Sequence, residues 1–200
     1  MENSKEKLPE FIRPSLKLYL LKNVTSKTPN HRTILRKKLL ETLTDLSVST
    51  EDPASLLNLD KIPSHPKVGL SLSHCTTGSA LLIDLDNKPI GVDLEEAARI
   101  SDKLIHRVSL GDEESLAPNP HWLFTSKEAA WKALNTQVNV PTISHLKTRD
   151  WHKNDSNWYT YKVEVNDFGV DGTGYFTQFS DTYLSFYIGH STFGEKHRQR

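Results

Sequence analysis

Residues 79–95 read SALLIDLDNKPIGVDLE, two runs rich in strand-forming residues, Ser79 to Leu85 and Pro89 to Glu95, separated by Asp86-Asn87-Lys88. Such a polar triplet between apolar runs is the chemistry of a tight turn, so the two runs are expected to close a β-hairpin and the middle of the chain to be antiparallel sheet. Working upstream, Val68 to Leu72 alternates apolar and other residues at period two and ends in Ser73-His74-Cys75, the pattern of a half-buried strand. Leu35, Leu39, Leu43 and Leu46 recur at helical spacing behind Asn30, which is expected to act as N-cap. Leu16 to Val24 reads as a further strand, and the polar stretch Ser47 to Asp60 as a connection.

Downstream of Glu95 the alternation stops. Leu104, Ile105, Val108 and Leu116 fall among charged residues in what reads as short helices broken at Gly111. A firmer helix is expected, its start marked by Asn119 and Pro120 and its apolar side running from Trp122 to about Leu134, and strands over Leu146 to Trp151, Trp158 to Val165, Gly174 to Phe179 and Thr182 to Ile188. Gly172-Thr173-Gly174 reads as a hairpin turn, and the basic tail 194–200 as disordered. The fold class that follows is α+β.

Composition narrows the function. The chain has 200 residues, and 25 basic against 25 acidic residues leave a formal charge of zero, so no overall field favours nucleic acid or an anionic membrane. The single cysteine, Cys75, suits a reducing compartment. With no signal-like apolar stretch behind Met1 and no apolar run long enough to span a bilayer, the expected location is the cytoplasm. Zinc chemistry fits poorly because no close pairs of His and Cys stand at ligand-like spacing, and a Cys75–His74 nucleophile because neighbouring strand residues point to opposite faces.

The chemistry centres on Gly91-Val92-Asp93-Leu94-Glu95. On a strand, Asp93 and Glu95 share one face while Val92 and Leu94 face the core, and two co-facing carboxylates repel unless a cation lies between them. Solvated strand faces carry the same pattern. The second feature is Phe124-Thr125-Ser126-Lys127-Glu128-Ala129-Ala130-Trp131-Lys132, which places Glu128 and Lys132 at i and i+4 on one helix face.

Together, GVDLE and WLFTSKEAAWKAL resemble the signature pair of the 4'-phosphopantetheinyl transferase superfamily, with Asp93, Glu95, Phe124, Lys127, Glu128 and Lys132 on the motif positions. Leu70-Ser71-Leu72-Ser73-His74 resembles that family's Ser-His strand, with Cys75 where a serine is usual. Asn30-His31-Arg32 resembles the helix start of its larger, monomeric, surfactin-synthetase-activating branch. The family's Gly-Lys-Pro element survives only as Lys61-Ile62-Pro63.

The resemblance implies a pseudo-twofold pair of α+β subdomains, residues 1–90 and 91–200, with coenzyme A between them. It implies Mg²⁺, or Mn²⁺, on Asp93, Glu95 and Glu128. Coenzyme A would be bound by Arg32, Lys61, Ser73, His74, Asp93, Lys127 and Lys132, and Glu128, Lys132 and Asp93 would be the catalytic set. The implied partner is an apo acyl or peptidyl carrier protein. A non-catalytic module that binds coenzyme A or a carrier on the same fold is the alternative.

Overall fold

A computed structural model describes residues 4–5, 12–135, 140–154, 157–165 and 168–190. The tail 194–200 lies outside them. The chain is α+β, built on two antiparallel sheets. The first contains β1 (Ser4–Lys5), β2 (Leu16–Leu21), β3 (Gly69–His74) and β4 (Ser79–Asp84) in the order β1-β2-β4-β3. The second contains β5 (Ile90–Glu96), β6 (Leu146–Lys153), β7 (Trp158–Val165), β8 (Phe168–Phe179) and β9 (Thr182–Gly189) in the order β5-β9-β8-β7-β6. The helices are α1 (His31–Asp45), α2 (Pro53–Leu57), α3 (Asp102–Val108), α4 (Glu113–Leu116) and α5 (Trp122–Leu134). No helix among the described residues is long and apolar enough to cross a membrane.

Strand β4 is buried along its whole length, which accounts for its unbroken apolar run. Leu81 and Ile83 pack on Leu35, Leu39 and Leu43 of α1, while Ala80 and Leu82 join Leu18, Val92, Leu94, Leu184 and Phe186 in a core shared by both sheets. A third core sets Leu123, Ala130, Ala133 and Leu134 of α5 on Tyr161, Val163, Phe176 and Tyr187 of the second sheet. A fully buried leucine such as Leu39 or Leu43 costs about 2–5 kcal/mol to truncate to alanine, so the leucine spacing that predicts α1 is also what anchors it.

The hairpin expected over residues 79–95 does not form. Both edges of β4 are taken, by β2 and β3, so the chain leaves the first sheet after Asp84 and β5 pairs with β9 in the second. The Asp86-Asn87-Lys88 link still turns sharply, with Asn87 at φ 55 and Lys88 N donating to Asp84 Oδ2 at 2.6 Å. What β5 gains is an edge that lies along β3. There, Ser71 Oγ accepts from Val92 N at 2.9 Å and Ser73 Oγ accepts from Leu94 N at 3.1 Å, so serine hydroxyls on alternate residues do the work of a backbone ladder between the sheets.

Three other expectations are corrected. Asn30 caps nothing with its side chain; it is left-handed at φ 55, a conformation asparagine tolerates, and α1 starts at His31. The stretch 47–60 contains α2, capped by Asp52 on Ser55 N at 3.2 Å with Pro53 in its first turn, yet only Leu56 of it is buried, too little to mark a periodicity. Gly172 and Gly174 lie inside β8, where a Cβ would strike the Tyr187 and Tyr161 rings, so these glycines make room for aromatics rather than turning the chain.

Candidate functional site

Gly91 brings the site together. A Cβ there would overlap Ala129 O and come within 2.7 Å of Ala133 N, so only glycine lets α5 lie this close to β5. Asp93 is on the same face of β5 as Gly91 and therefore meets the exposed flank of α5. Lys132 Nζ donates to Asp93 Oδ1 at 2.7 Å and to Val92 O at 3.0 Å. Ser73 Oγ, reaching across from β3, donates to the same Oδ1 at 2.9 Å. Asp93 Oδ2 is buried and has no hydrogen-bond partner.

Glu95 and Glu128 complete a cluster with more negative than positive charge. Burial first, and then the Asp93 carboxylate, push Glu95 up to about 7, with Arg99 and Lys132 pulling the other way. Burial and Asp93 likewise raise Glu128, against Lys132. An orphaned, buried carboxylate oxygen beside two acids whose charged forms are disfavoured fits a hard divalent cation, which takes oxygen donors and relieves the repulsion. The fit is one of charge and donor type. Among the described residues no three His, Cys, Asp or Glu side chains stand together as a preformed cage, and the Lys132 ammonium is the cation that holds Asp93.

Beside this cluster a cavity of about 790 Å³ opens between α1, residues 59–65, β3 and the end of α5. Arg32, Lys61, His74 and Lys132, all expected to bind coenzyme A, line it together with Arg36 and Lys88, and Asp60 is the one acid on its wall among the described residues. A concave site with this charge balance suits a polyanion. Lys132 belongs to both places, lining the cavity and gripping Asp93. The His74 ring packs on His31 with centroids 4.5 Å apart; burial, His31, Arg32 and Lys132 lower its pKa below the usual 6.5, with Asp93 opposing.

No protein-family model matches this chain, and no curated protein sequence matches it.

Two expected cofactor contacts are placed elsewhere. Lys127 is wholly buried on another flank of α5, donating to Val108 O at 2.6 Å and to Glu113 Oε2 at 2.5 Å, so it cannot reach a ligand in the cavity; one helix position, about 100°, separates it from Glu128. Ser73 sits in the joint between the sheets and is not part of the cavity wall. Conversely, sequence reading missed Arg36, whose buried guanidinium donates to Leu56 O at 3.2 Å and to Lys61 O and so fixes the segment that carries Lys61. Its helical phase, four residues after Arg32, is the signal that would have found it. In the stretch from Ile100 to Leu116, Ile100, Ile105 and Val108 are core, and Leu110 and Leu116 are exposed.

Proposed function

We propose that the chain transfers the 4'-phosphopantetheine arm of coenzyme A to a serine hydroxyl of an apo acyl or peptidyl carrier protein, releasing adenosine 3',5'-bisphosphate. The observation that carries this reading is the meeting of Asp93, Glu95, Glu128 and Lys132 beside a basic cavity whose wall Lys132 helps to form. Arg32, Lys61 and His74 supply donors for the phosphates of the nucleotide, where a guanidinium binds oxygen pairs in a bidentate manner. Lys132 brings positive charge to the boundary between cavity and carboxylates, where the departing bisphosphate gains charge.

In the transfer, the serine oxygen forms a bond to the β-phosphorus as the bond from that phosphorus to the bridging oxygen of the bisphosphate breaks. The serine proton needs an acceptor, and Glu128, a carboxylate whose pKa burial and Asp93 raise, is suited to that role. When bound, Mg²⁺ on Asp93, Glu95 and Glu128 would supply charge neutralisation at the pyrophosphate. The proposal includes a pseudo-twofold relation between residues 1–90 and 91–200; it is supported by one sheet drawing on residues up to Asp84 and the other on residues from Ile90. A cytoplasmic monomer is part of the same reading.

The test is incubation with coenzyme A, Mg²⁺ and a panel of apo carrier proteins, followed by intact mass. Gain of one phosphopantetheine group on any carrier supports the proposal. Coenzyme A binding with every carrier left unmodified would replace it with the non-catalytic module, and the absence of both would remove coenzyme A from the account.

A further inference from the structure

The hydroxyl of Ser73 has one proton to give, and it is given to Asp93 Oδ1 at 2.9 Å. Its oxygen accepts from Leu94 N at 3.1 Å and from Lys132 Nζ at 3.4 Å. The group is thus fully engaged within the protein, in a residue only 6% exposed, with nothing left to donate to a phosphate. Asp93 shows the complementary picture. Oδ1 takes both Ser73 and Lys132, while Oδ2 is left buried and unpartnered on a carboxylate that raises the pKa of both Glu95 and Glu128.

We infer that Ser73 is a positioning residue: it locks the Asp93 carboxylate through Oδ1 so that Oδ2 is presented, without internal competition, to a divalent cation shared with Glu95 and Glu128. The inference rests on the metal-dependent reading proposed above. It differs from a coenzyme contact in what it predicts, because an anchored ligand oxygen changes metal affinity and a phosphate donor changes coenzyme affinity. Ser71 provides the internal comparison. Two residues away on β3, it makes the same kind of joint, accepting from Val92 N at 2.9 Å, with no carboxylate hydrogen-bonded to it among the described residues.

The experiment titrates Mn²⁺ into the full chain without coenzyme A, following free Mn²⁺ by electron paramagnetic resonance, and separately measures coenzyme A affinity by calorimetry. Ser73→Ala is expected to weaken Mn²⁺ binding by about 10–100-fold, as loss of a group that orients a metal ligand does, while Ser71→Ala changes it by less than about twofold. The midpoints of urea unfolding should fall comparably in both, since each loses one joint between the sheets. If Ser73→Ala does not fold, Ser73→Cys keeps the volume with a weak donor and should show a smaller loss in the same direction. Unchanged Mn²⁺ affinity in the Ser73 variants, with weakened coenzyme A binding, would overturn the positioning role and return Ser73 to the coenzyme. Wild-type protein that takes up no Mn²⁺ would overturn the metal reading and this inference with it, whereas Mn²⁺ uptake without carrier modification would remove the transfer reading alone.

Discussion

Helix α5 holds one lysine against a carboxylate on each of two flanks, and the two regions are balanced in opposite ways. Around Lys127 every charge has a partner: Glu113 Oε2 takes Lys127 and Leu110 N, and Oε1 takes Thr148 N at 2.5 Å and Thr148 Oγ1 at 3.1 Å, with both side chains wholly buried. Around Lys132 one ammonium faces Asp93, Glu95 and Glu128, one carboxylate oxygen has no partner, and the lysine is 26% exposed. A completed buried network leaves nothing for a ligand to improve, whereas an incomplete one at a cavity wall leaves binding energy for a ligand to collect. The sequence KEAAWK contains both lysines, and only their partners tell them apart.

The comparison breaks most visibly on the closed side. Glu113→Ala strands the Lys127 ammonium in the interior and unfastens α4 from α5 and β6, so it should destabilise the fold by about 3–5 kcal/mol in urea unfolding. A loss below about 1 kcal/mol would mean that water already reaches this pair. On the open side the expectation reverses. Glu128→Gln should leave stability nearly unchanged, because it removes a repelling charge along with a partner of Lys132, yet lower phosphopantetheine transfer by about 10²–10⁴-fold as a lost proton acceptor would. Transfer within a few-fold of wild type would take Glu128 out of the chemistry.

A divalent cation separates the two regions more gently. Ions that bind only the folded protein add about 2.7 kcal/mol of stability at a hundred times their dissociation constant. Mg²⁺ should therefore raise the unfolding temperature of wild type and of Lys127→Met alike, and have no such effect on Asp93→Asn. A Mg²⁺ response that survives in Asp93→Asn would place the ion elsewhere.

Much of this was legible in the chain, and the failures share a cause. Period-two alternation put Asp93 and Glu95 on one face of β5, and helical spacing placed α1 and α5, because those patterns arise from neighbours in sequence. The pairing of β5 was not legible: a turn at Asp86-Asn87-Lys88 looks the same whether the next strand folds back or crosses to another sheet, and the choice is made by β2 and β3 occupying both edges of β4. Lys127 was misread for the same reason. Its partner Glu113 is on another helix, and nothing local to either residue announces the pair. Gly172 and Gly174 carry the composition of a turn, while the rings of Tyr187 and Tyr161 that require them are distant in sequence.

The smallest effect concerns His74, which lies on the cavity side of the same open region. Its folded pKa is lowered from 6.5, by burial most of all and then by His31, Arg32 and Lys132, against Asp93. The unfolded chain therefore takes up a proton at this position more readily than the folded one, so the stability His74 allows is fully present above 6.5 and declines as pH falls from there through the lowered folded value. His74→Gln should remove that share of the decline, seen as a shallower fall in unfolding free energy between about pH 7 and 5.5. A polyanion in the cavity reverses the sign, because negative charge beside the ring favours the imidazolium and binding then draws in a proton. Adenosine 3',5'-bisphosphate should accordingly bind wild type a few-fold more tightly at about pH 6 than at pH 7.5 by calorimetry, with a flatter profile in His74→Gln. Parallel profiles for the two proteins would mean that the anion sits away from the His31–His74 pair, and would move the nucleotide toward Lys61 and Arg36.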